Sequence, residues 1–402
     1  MNRKKYLSLA MFVVFVAQAL LISEVSAPRP PHPRKAEWTY MLYVCGDNNL
    51  EYLWDDLTLP WIASVGSSDQ VNFVALVDRL STDTVELVSI DYQSYTVLDV
   101  WPEQNMGSVT TLVNFIEIVT TLFPAERLVL DFWDHGDAWK YFMRDDTSGD
   151  SLDLDELRYA LGEADVLFDI IAFNACSMAM ADVFYAINGY ADYVVASEEL
   201  ASLLGFPYRM YALDLVENPT WDAERFATEM VADWKEFYDT LNPNDRVLDQ
   251  ALGASWGTLS AVDVRQMAPF TKAFTDMASA MLANLPQYRQ DYIHAVSASE
   301  QMSNTFWYLD LHDFVEKMLG DTTVTDPILR RALQEVLATI DSMVVAIDNG
   351  IVHTGCHGVT FYFPSSSEWT GLWNIRQDYV EVAFAQVTGW ITFLDAYHCV
   401  VE

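Results

Sequence analysis

The sequence is poor in cysteine. Its 402 residues contain four cysteines, which are Cys45, Cys176, Cys356 and Cys399. They are too few and too widely spaced for a disulfide scaffold, and the absence of a CxxC pair excludes the common type of zinc site. In an oxidising compartment, a bridge between Cys356 and Cys399 would be the one pairing to expect.

Basic residues are also scarce. Acidic residues outnumber them by 58 to 22, which gives a formal net charge of −36, and only seven of the basic residues are lysines. Nucleic-acid binding requires a basic surface, so the composition excludes nucleic acids as partners. The acidic surface has two open interpretations: solubility outside a cell, or attraction of cationic ligands such as basic peptides and Ca²⁺.

Long apolar runs are missing after the N-terminus. Three basic residues at positions 3–5 precede an apolar run at 7–22, and small residues follow at 25–27. This order predicts a secretory signal peptide over residues 1–27. The run is shorter than the roughly 20 residues that a spanning helix needs, although an uncleaved N-terminal anchor stays open. We therefore expect a secreted or surface-exposed protein with no other membrane contact.

The rest of the chain shows two regions. A proline-rich leader, PRPPHPRKAE, occupies residues 28–37. Strand and helix patterns alternate from 127 to 197, which is typical of crossovers that build a parallel sheet covered by helices on both faces. After about residue 207 helices dominate, at 221–240, 264–285, 310–319 and 327–347, with strands at WGTLSAVD and HGVTFYFP. We predict a core at 38–215 and a helix-rich region at 216–402 that packs on the core and extends it.

Two consecutive predicted strands end in reactive side chains. LVLDFWDHG ends in His135-Gly136, and DIIAFNAC ends in Cys176. Ligands bind at the carboxyl ends of strands in parallel sheets, and neighbouring strands are about 4.8 Å apart. Histidine is the usual base for a cysteine nucleophile. The backbone N–H groups of Gly136 and of Cys176, which the pattern places at a helix start, are candidate oxyanion donors.

The environment of His135 favours a charged pair. Asp131, Asp134 and Asp137 flank the histidine and would favour its protonated form, which suits a thiolate–imidazolium pair. A purely structural role for Cys176 and His135 is equally open at this point. Free cysteine is among the most buried residue types, and a His-Gly pair at a strand end is common.

Five segments in order resemble one family. LVLDFWDHGDAW, DDTSGDSLDLDELRYAL, FDIIAFNACSMAMADVFYAI, ADYVVASEE and HGVTFYFP resemble the clostripain family of cysteine peptidases, in the caspase-like clan. The resemblance implies a caspase-like three-layer α/β sandwich with a mostly parallel central sheet flanked by helices. It also implies an endopeptidase without a required cofactor, with Cys176 as nucleophile, His135 as base, and an oxyanion hole formed by the N–H groups of Gly136 and Cys176.

One position departs from the family pattern. The residue two before the nucleophile is commonly an Asp that binds Arg or Lys of the substrate, whereas this chain has Asn174. An amide carries no charge, so we expect a weakened preference for Arg or Lys at the cleaved position. Ser197, Glu198 and Glu199 are the other substrate-binding candidates. The two glutamates either supply the missing acid or lie in a solvated loop.

Two clusters suggest metals. Asp145, Asp146 and Asp150 lie in the acidic stretch RDDTSGDSLDLDE, which is either a Ca²⁺ site, as calcium dependence among clostripain relatives implies, or a solvated loop that caps the next helix. The HTGCHG segment at 353–358 is either an incomplete metal site or a turn into the following strand. Two other functions stay open: a catalytically inactive acidic binding protein on the same fold, and a metal-dependent hydrolase.

Overall fold

The structure is a computed structural model that describes residues 23–24, 35–240, 257–302, 307–371 and 375–399. Most of the predicted signal peptide (1–27) and most of the leader (28–37) therefore lie outside the described residues. None of the helices in these ranges is long and apolar enough to cross a membrane. The chain divides into two compact units that interleave along the sequence, and the division at residue 215 stays a prediction.

The strands of the described residues have the following bounds in chain order: β1 (Ser23–Glu24), β2 (Ala36–Gly46), β3 (Val71–Arg79), β4 (Thr84–Asp91), β5 (Ser94–Pro102), β6 (Ala125–Trp133), β7 (Phe142–Asp145), β8 (Asp150–Leu152), β9 (Phe168–Asn174), β10 (Ala191–Ala196), β11 (Thr258–Asp263), β12 (Tyr308–Asp310), β13 (Val344–Asn349) and β14 (Thr360–Tyr362).

The helices follow in the same way: α1 (Glu51–Leu53), which continues through a π-helical turn (Trp54–Thr58) into α2 (Leu59–Ala63), then α3 (Val109–Leu122), α4 (Leu154–Ala164), α5 (Ala181–Ile187), α6 (Tyr208–Glu217), α7 (Ala223–Thr240), α8 (Met267–Ala298), α9 (Leu311–Gly320), α10 (Pro327–Met343), α11 (Ser366–Trp369), α12 (Arg376–Tyr379), α13 (Ala383–Val387) and α14 (Trp390–His398).

The first unit contains the described residues up to Asp134, with Met143–Ser151 and Phe206–Asp222. Its central strand β2 pairs in parallel with both β3 and β6. All residues of β2 except one are buried, as its continuous apolar sequence TYMLYVC predicts for a strand covered on both faces. Outside β3, the strands β4 and β5 are antiparallel, and β1 pairs with β5 at the edge.

The second unit contains His135–Phe142, Leu152–Gly205 and the described residues from Ala223 onward. Strands β9 and β10 are parallel and are connected through α5, as the predicted crossover requires. Strands β11 and β13 continue this sheet in antiparallel orientation, and β12 pairs with β14 separately. The predicted α/β class with flanking helices is confirmed, and both units add antiparallel pairs beside their parallel strands.

Two of the predicted helices have different bounds. The helix expected at 264–285 runs from Met267 to Ala298, with non-helical backbone angles at Tyr288, two residues after Pro286. Proline here kinks the helix and does not end it. Residues 344–347, expected to end the helix at 327–347, belong to β13, because the β-branched pair at 344–345 suits a strand that pairs with β11.

Candidate active site

Cys176 lies in a turn after β9. The strand ends at Asn174, and the next helix begins only at Ala181. The expectation that Cys176 occupies a helix start is therefore wrong. The sequence pattern did not reveal the six intervening residues, 175–180, as a separate element, because the mostly apolar SMAM at 177–180 matches the helical pattern that follows.

Backbone hydrogen bonds hold this turn. Ser177 adopts a left-handed conformation with φ of 61°, which is unfavourable for a residue with a side chain and is typical of functional sites. Its N–H donates to the carbonyl of Glu199 (3.0 Å), and the N–H of Ala179 donates to the carbonyl of Ser197 (2.8 Å). The chain after β9 is thus fixed to the chain after β10.

The turn at Gly136 packs directly against the turn at Cys176. A Cβ atom at position 136 would lie 2.8 Å from the carbonyl oxygen of Cys176 and 3.1 Å from both Ala175 Cβ and Met178 Sδ. Only glycine permits this approach without a backbone shift. Two backbone segments in contact therefore carry His135 and Cys176.

A cleft of about 640 Å³ opens at this point, within the size range of ligand sites. His135 and Cys176 both line it. The lining also includes Gly136, Asp137, Trp139, Lys140, Tyr141, Leu200, Ile375 and Asp378. The structure thus brings the two predicted reactive side chains to one surface that mixes aromatic, acidic and basic groups.

The sulfur of Cys176 is half-buried and carries no disulfide. The backbone N–H of Ala201 donates a hydrogen bond to this sulfur at 3.3 Å. A donor directed at sulfur favours the thiolate over the thiol, and the thiolate is the nucleophilic form. The segment after β10 therefore both fixes the turn and supplies a backbone donor to the Cys176 sulfur.

One wall of the cleft is built around Asp137. Its carboxylate accepts a hydrogen bond from the hydroxyl of Tyr308 (2.9 Å) and pairs with the ammonium of Lys140 (3.1 Å). Lys140 also lies over the Trp139 and Tyr308 rings. Burial lowers the pKa of Lys140, while Asp137 opposes that shift. This acid is thus paired with a cation in the wall of the cleft.

The other two acids flanking His135 belong to the first unit and have partners there. Asp131 accepts hydrogen bonds from the hydroxyls of Tyr40 (2.7 Å) and Tyr208 (2.9 Å). Asp134 accepts one from the Asn48 amide (2.7 Å). The idea that these carboxylates hold His135 protonated stays a prediction.

The family model described as the clostripain family matches residues 42–397. The chain belongs to the clostripain family. It is therefore a cysteine peptidase, a hydrolase whose substrates are peptides or proteins, as the sequence predicts. No match was found among curated protein sequences.

Three solved structures share the fold of this clostripain-family chain. A secreted C11 cysteine protease from Bacteroides thetaiotaomicron, in complex with an irreversible peptide inhibitor, is 18% identical with a TM-score of 0.69, covering 88% of this chain and 99% of its own. An inactive zymogen C11 protease from Parabacteroides distasonis is 18% identical with a TM-score of 0.67, covering 89% and 99%. The secreted C11 protease "iotapain" from B. thetaiotaomicron is 15% identical with a TM-score of 0.68, covering 89% and 100%. The caspase-like fold is confirmed.

Asn174 of this clostripain-family peptidase is not among the residues that line the cleft. The residue is 9% exposed. Its amide faces Gly205, which has φ of +64°, and a Cβ at position 205 would lie 2.6 Å from the amide nitrogen. Substrate contact by Asn174 therefore stays a prediction.

Ser197, Glu198 and Glu199 do not line the cleft either. Both glutamates are 1% exposed, so the alternative of a solvated loop is wrong. Glu198 accepts a hydrogen bond from the N–H of Gly358 (2.9 Å), and burial together with Asp310 raises its pKa well above the ordinary value. The Ser197 hydroxyl bonds to that of Thr258 (3.1 Å).

Glu199 forms a buried ion pair with His353 instead. Its carboxylate lies 3.0 Å from His353 Nε2, and Glu300 lies 2.8 Å from His353 Nδ1. Burial lowers the pKa of His353, but the bonds to Glu199 and Glu300 outweigh burial and raise it. Glu199, which was a candidate for the missing acid of the substrate pocket, therefore holds the 353–358 turn through His353.

The HTGCHG segment is the turn into β14, as one of its two interpretations predicts. Cys356 is buried, and burial raises the pKa of its thiol, which makes it a poor nucleophile. His357 bonds to Asp310 (3.3 Å) and stacks on His312. Cys356 and the exposed Cys399 are both free thiols, so the expected bridge is wrong.

The acidic stretch caps a helix, as one interpretation predicts. Asp153 caps α4 in a capping box with Glu156. Among the described residues, the three expected Ca²⁺ ligands do not form one group. Asp146 pairs with Arg144 (2.7 Å), Asp150 accepts from the Asn105 amide (2.6 Å), and only Asp145 turns inward.

Groups of side chains that can hold a metal lie in both units. In the second unit these are Glu198, Asp310 and Cys356, and separately His312, Glu316 and His357. In the first unit, Asp145 joins Asp47, Asp78 and Glu103. Burial, together with the charges of the other three, raises the pKa of Asp78 to about 8.

Some cleft residues were not predicted. Trp139 and Tyr141 follow the His135-Gly136 pair directly, so their closeness in sequence was an available signal. Leu200 follows the predicted SEE segment in the same way. Ile375 and Asp378 lie about 200 residues after Cys176, and no local pattern connects them to the site.

Proposed function

We propose that this protein is a secreted cysteine endopeptidase that uses Cys176 and His135 as a catalytic dyad. The Cys176 thiolate would attack the peptide carbonyl carbon and form a C–S bond. As the C–N bond breaks, His135 would protonate the leaving amine. A water molecule would then lose a proton to His135, attack the thioester, and release the acid and the free thiol.

The observation that carries this proposal is the shared cleft. Both side chains line it, and Gly136 allows their backbone segments to touch. The N–H groups of Gly136 and Cys176 are the proposed donors to the oxyanion, because they belong to these two touching segments. The hydrogen bond from Ala201 to the sulfur supports the thiolate form.

Cysteine substitutions test the nucleophile. Cys176→Ala should abolish cleavage of a peptide substrate, whereas Cys356→Ala, at a buried thiol away from the cleft, should leave kcat intact. His135→Ala should lower kcat/KM by about 10²–10⁴-fold. Circular dichroism would verify that each variant is folded. Peptide cleavage by folded Cys176→Ala would refute the proposal.

We also propose a weakened preference for Arg or Lys at the cleaved position. Asn174 supplies an amide where the family commonly has a carboxylate, and the exposed Asp378 on the cleft provides a remaining negative charge. A peptide library with Arg, Lys, Asn and Asp at the cleaved position tests this. Turnover of neutral residues equal to or better than that of Arg and Lys would contradict it.

Secretion is the remaining part of the proposal. The order of basic, apolar and small residues in 1–27 supports it, and two of the structural neighbours are described as secreted. The N-terminal sequence of protein recovered from the medium should begin after residue 27. Recovery of an intact N-terminus in the membrane fraction would favour the anchor instead.

A further inference from the structure

The segment 197–201, which follows β10, contacts the nucleophile turn directly. The N–H of Ala201 donates to the Cys176 sulfur (3.3 Å), and the carbonyl of Glu199 accepts from the N–H of Ser177 (3.0 Å). Ser177 has an unfavourable φ of 61°, and such a conformation persists only where the surrounding structure holds it. A group that fixes the 197–201 segment therefore also fixes the sulfur and its hydrogen-bond donor.

The carboxylate of Glu199 fixes this segment from its buried side. Its Oε1 accepts from the N–H of Leu200 (2.7 Å), a residue that lines the cleft. Its Oε2 lies 3.0 Å from His353 Nε2. Glu199 is 1% exposed and His353 is 4% exposed, and a carboxylate removed from water requires a counter-charge. The imidazolium of His353 supplies this charge next to the active-site backbone.

A second acid holds the other side of the His353 ring. Nδ1 lies 2.8 Å from the carboxylate of Glu300, whose own N–H donates to Asp313 on α9 (2.7 Å). Among the described residues, the charged groups that face the ring are thus Glu199 after β10 and Glu300 after α8. Both are acids, and their bonds raise the pKa of His353 against the opposing effect of burial. The fold therefore favours the charged form of this histidine.

We propose that His353 is a positioning residue for the cleavage reaction. Its ion pair with Glu199 holds the Ala201 N–H on the nucleophile sulfur. His353 is not among the residues that line the cleft, so it acts through Glu199 and not on the substrate. Without the imidazolium, the buried carboxylate loses its counter-charge, the segment shifts, and the thiolate loses a fixed donor. This role rests on the proposed function, because it requires Cys176 as nucleophile.

The charge on His353 makes the effect depend on pH. Below about pH 6.5 the ring is protonated and the ion pair is complete, and the pair is lost as the pH rises through the raised folded pKa. His353→Gln should therefore lower kcat/KM about tenfold at pH 6. The ratio of parent to variant should fall towards one by pH 9. A histidine that served stability alone would leave kcat/KM of the folded variant equal to that of the parent at every pH.

The rate of iodoacetamide labelling at Cys176 measures the same effect without a substrate. In His353→Gln, the midpoint of the labelling rate against pH should rise by about one pH unit, because the thiolate is less stable. His312→Gln is the matched control, since His312 is another buried histidine of the second unit and its acid partner Asp341 (3.3 Å) lies on α10. This control should keep the parent's labelling midpoint and its pH profile of kcat/KM. Circular dichroism would verify that both variants are folded.

A double-mutant cycle tests whether His353 acts through Glu199. Glu199→Gln keeps an acceptor for the Leu200 N–H and removes the charge, so it should lose about as much kcat/KM at pH 6 as His353→Gln. The double variant should lose no more than either single variant, and Glu199→Gln replaces His353→Gln in the labelling test if the latter does not fold. Additive losses, or parent-like kcat/KM and labelling in the folded single variants, would overturn the positioning role. Cleavage by folded Cys176→Ala would instead overturn the proposed function.

Discussion

Gly136→Ala should disable the active site through one added methyl group. The new Cβ would lie 2.8 Å from the carbonyl oxygen of Cys176, which is about 0.6 Å short of the 3.4 Å at which ordinary contacts begin. Ala175 and Met178 close the other sides at 3.1 Å, so the two turns must separate. Displacements approaching 1 Å at a catalytic centre cost on the order of 10²-fold in rate. We expect kcat/KM to fall by roughly 10- to 10²-fold.

The stability of this variant separates a local effect from unfolding. Overpacking of this kind costs about 1–3 kcal/mol in the free energy of unfolding, which urea denaturation measures. The matched control is Gly320→Ala, because a Cβ at the end of α9 would meet nothing within 4 Å. Its free energy of unfolding should stay within about 1 kcal/mol of the parent value, and its kcat/KM should match that of the parent. Parent-like kcat/KM in Gly136→Ala would refute the close packing of the two turns.

Three further substitutions address specificity and the buried charges. Asn174→Asp should raise the ratio of Arg or Lys cleavage to neutral cleavage by about tenfold, because it restores a carboxylate; peptide profiling measures the ratio. Gly205→Ala should lose about 1–3 kcal/mol more stability than Gly389→Ala, because both have positive φ but only Gly205 faces the Asn174 amide. His353→Gln should lower the free energy of unfolding by about 1.5–3 kcal/mol at pH 5.5, measured by denaturation across pH.

The sign of the His353 effect follows from its raised pKa. A group with a higher pKa in the folded state stabilises fully below its unfolded pKa, which is about 6.5. The stabilisation disappears as the pH rises through the folded pKa, so the difference from His353→Gln should shrink towards pH 9. A constant difference would contradict the ion pair. An unchanged cleavage ratio in Asn174→Asp would contradict the first prediction. Equal losses of stability in Gly205→Ala and Gly389→Ala would contradict the second.

Local sequence patterns predicted the frame of the site. Apolar strands ending in His135-Gly136 and in Cys176 were recognisable because strand periodicity and turn residues are local signals. The cap at Asp153 was predictable for the same reason, since an N-cap and its glutamate are three residues apart. The parallel arrangement of β9 and β10 follows from the helix between them.

The contacts between distant segments could not be predicted. Glu198 and Glu199 appear as a polar loop in the sequence, yet their partners Gly358 and His353 lie about 150–160 residues further on. The acidic stretch raised the same problem, because the carboxylates that lie near Asp145 come from the ends of three other strands. Sequence alone reports the density of charge, whereas burial depends on which segments meet.

The pH dependence of alkylation at Cys176 tests the dyad most directly. The full-length protein is treated with one molar equivalent of iodoacetamide, and labelled sites are located by peptide mapping, with the buried Cys356 as internal control. The dyad predicts stoichiometric labelling of Cys176 that persists below the ordinary thiol pKa of about 8.5 and is lost in His135→Ala. Equal labelling of Cys176 in parent and His135→Ala, or no labelling in the parent, would contradict it.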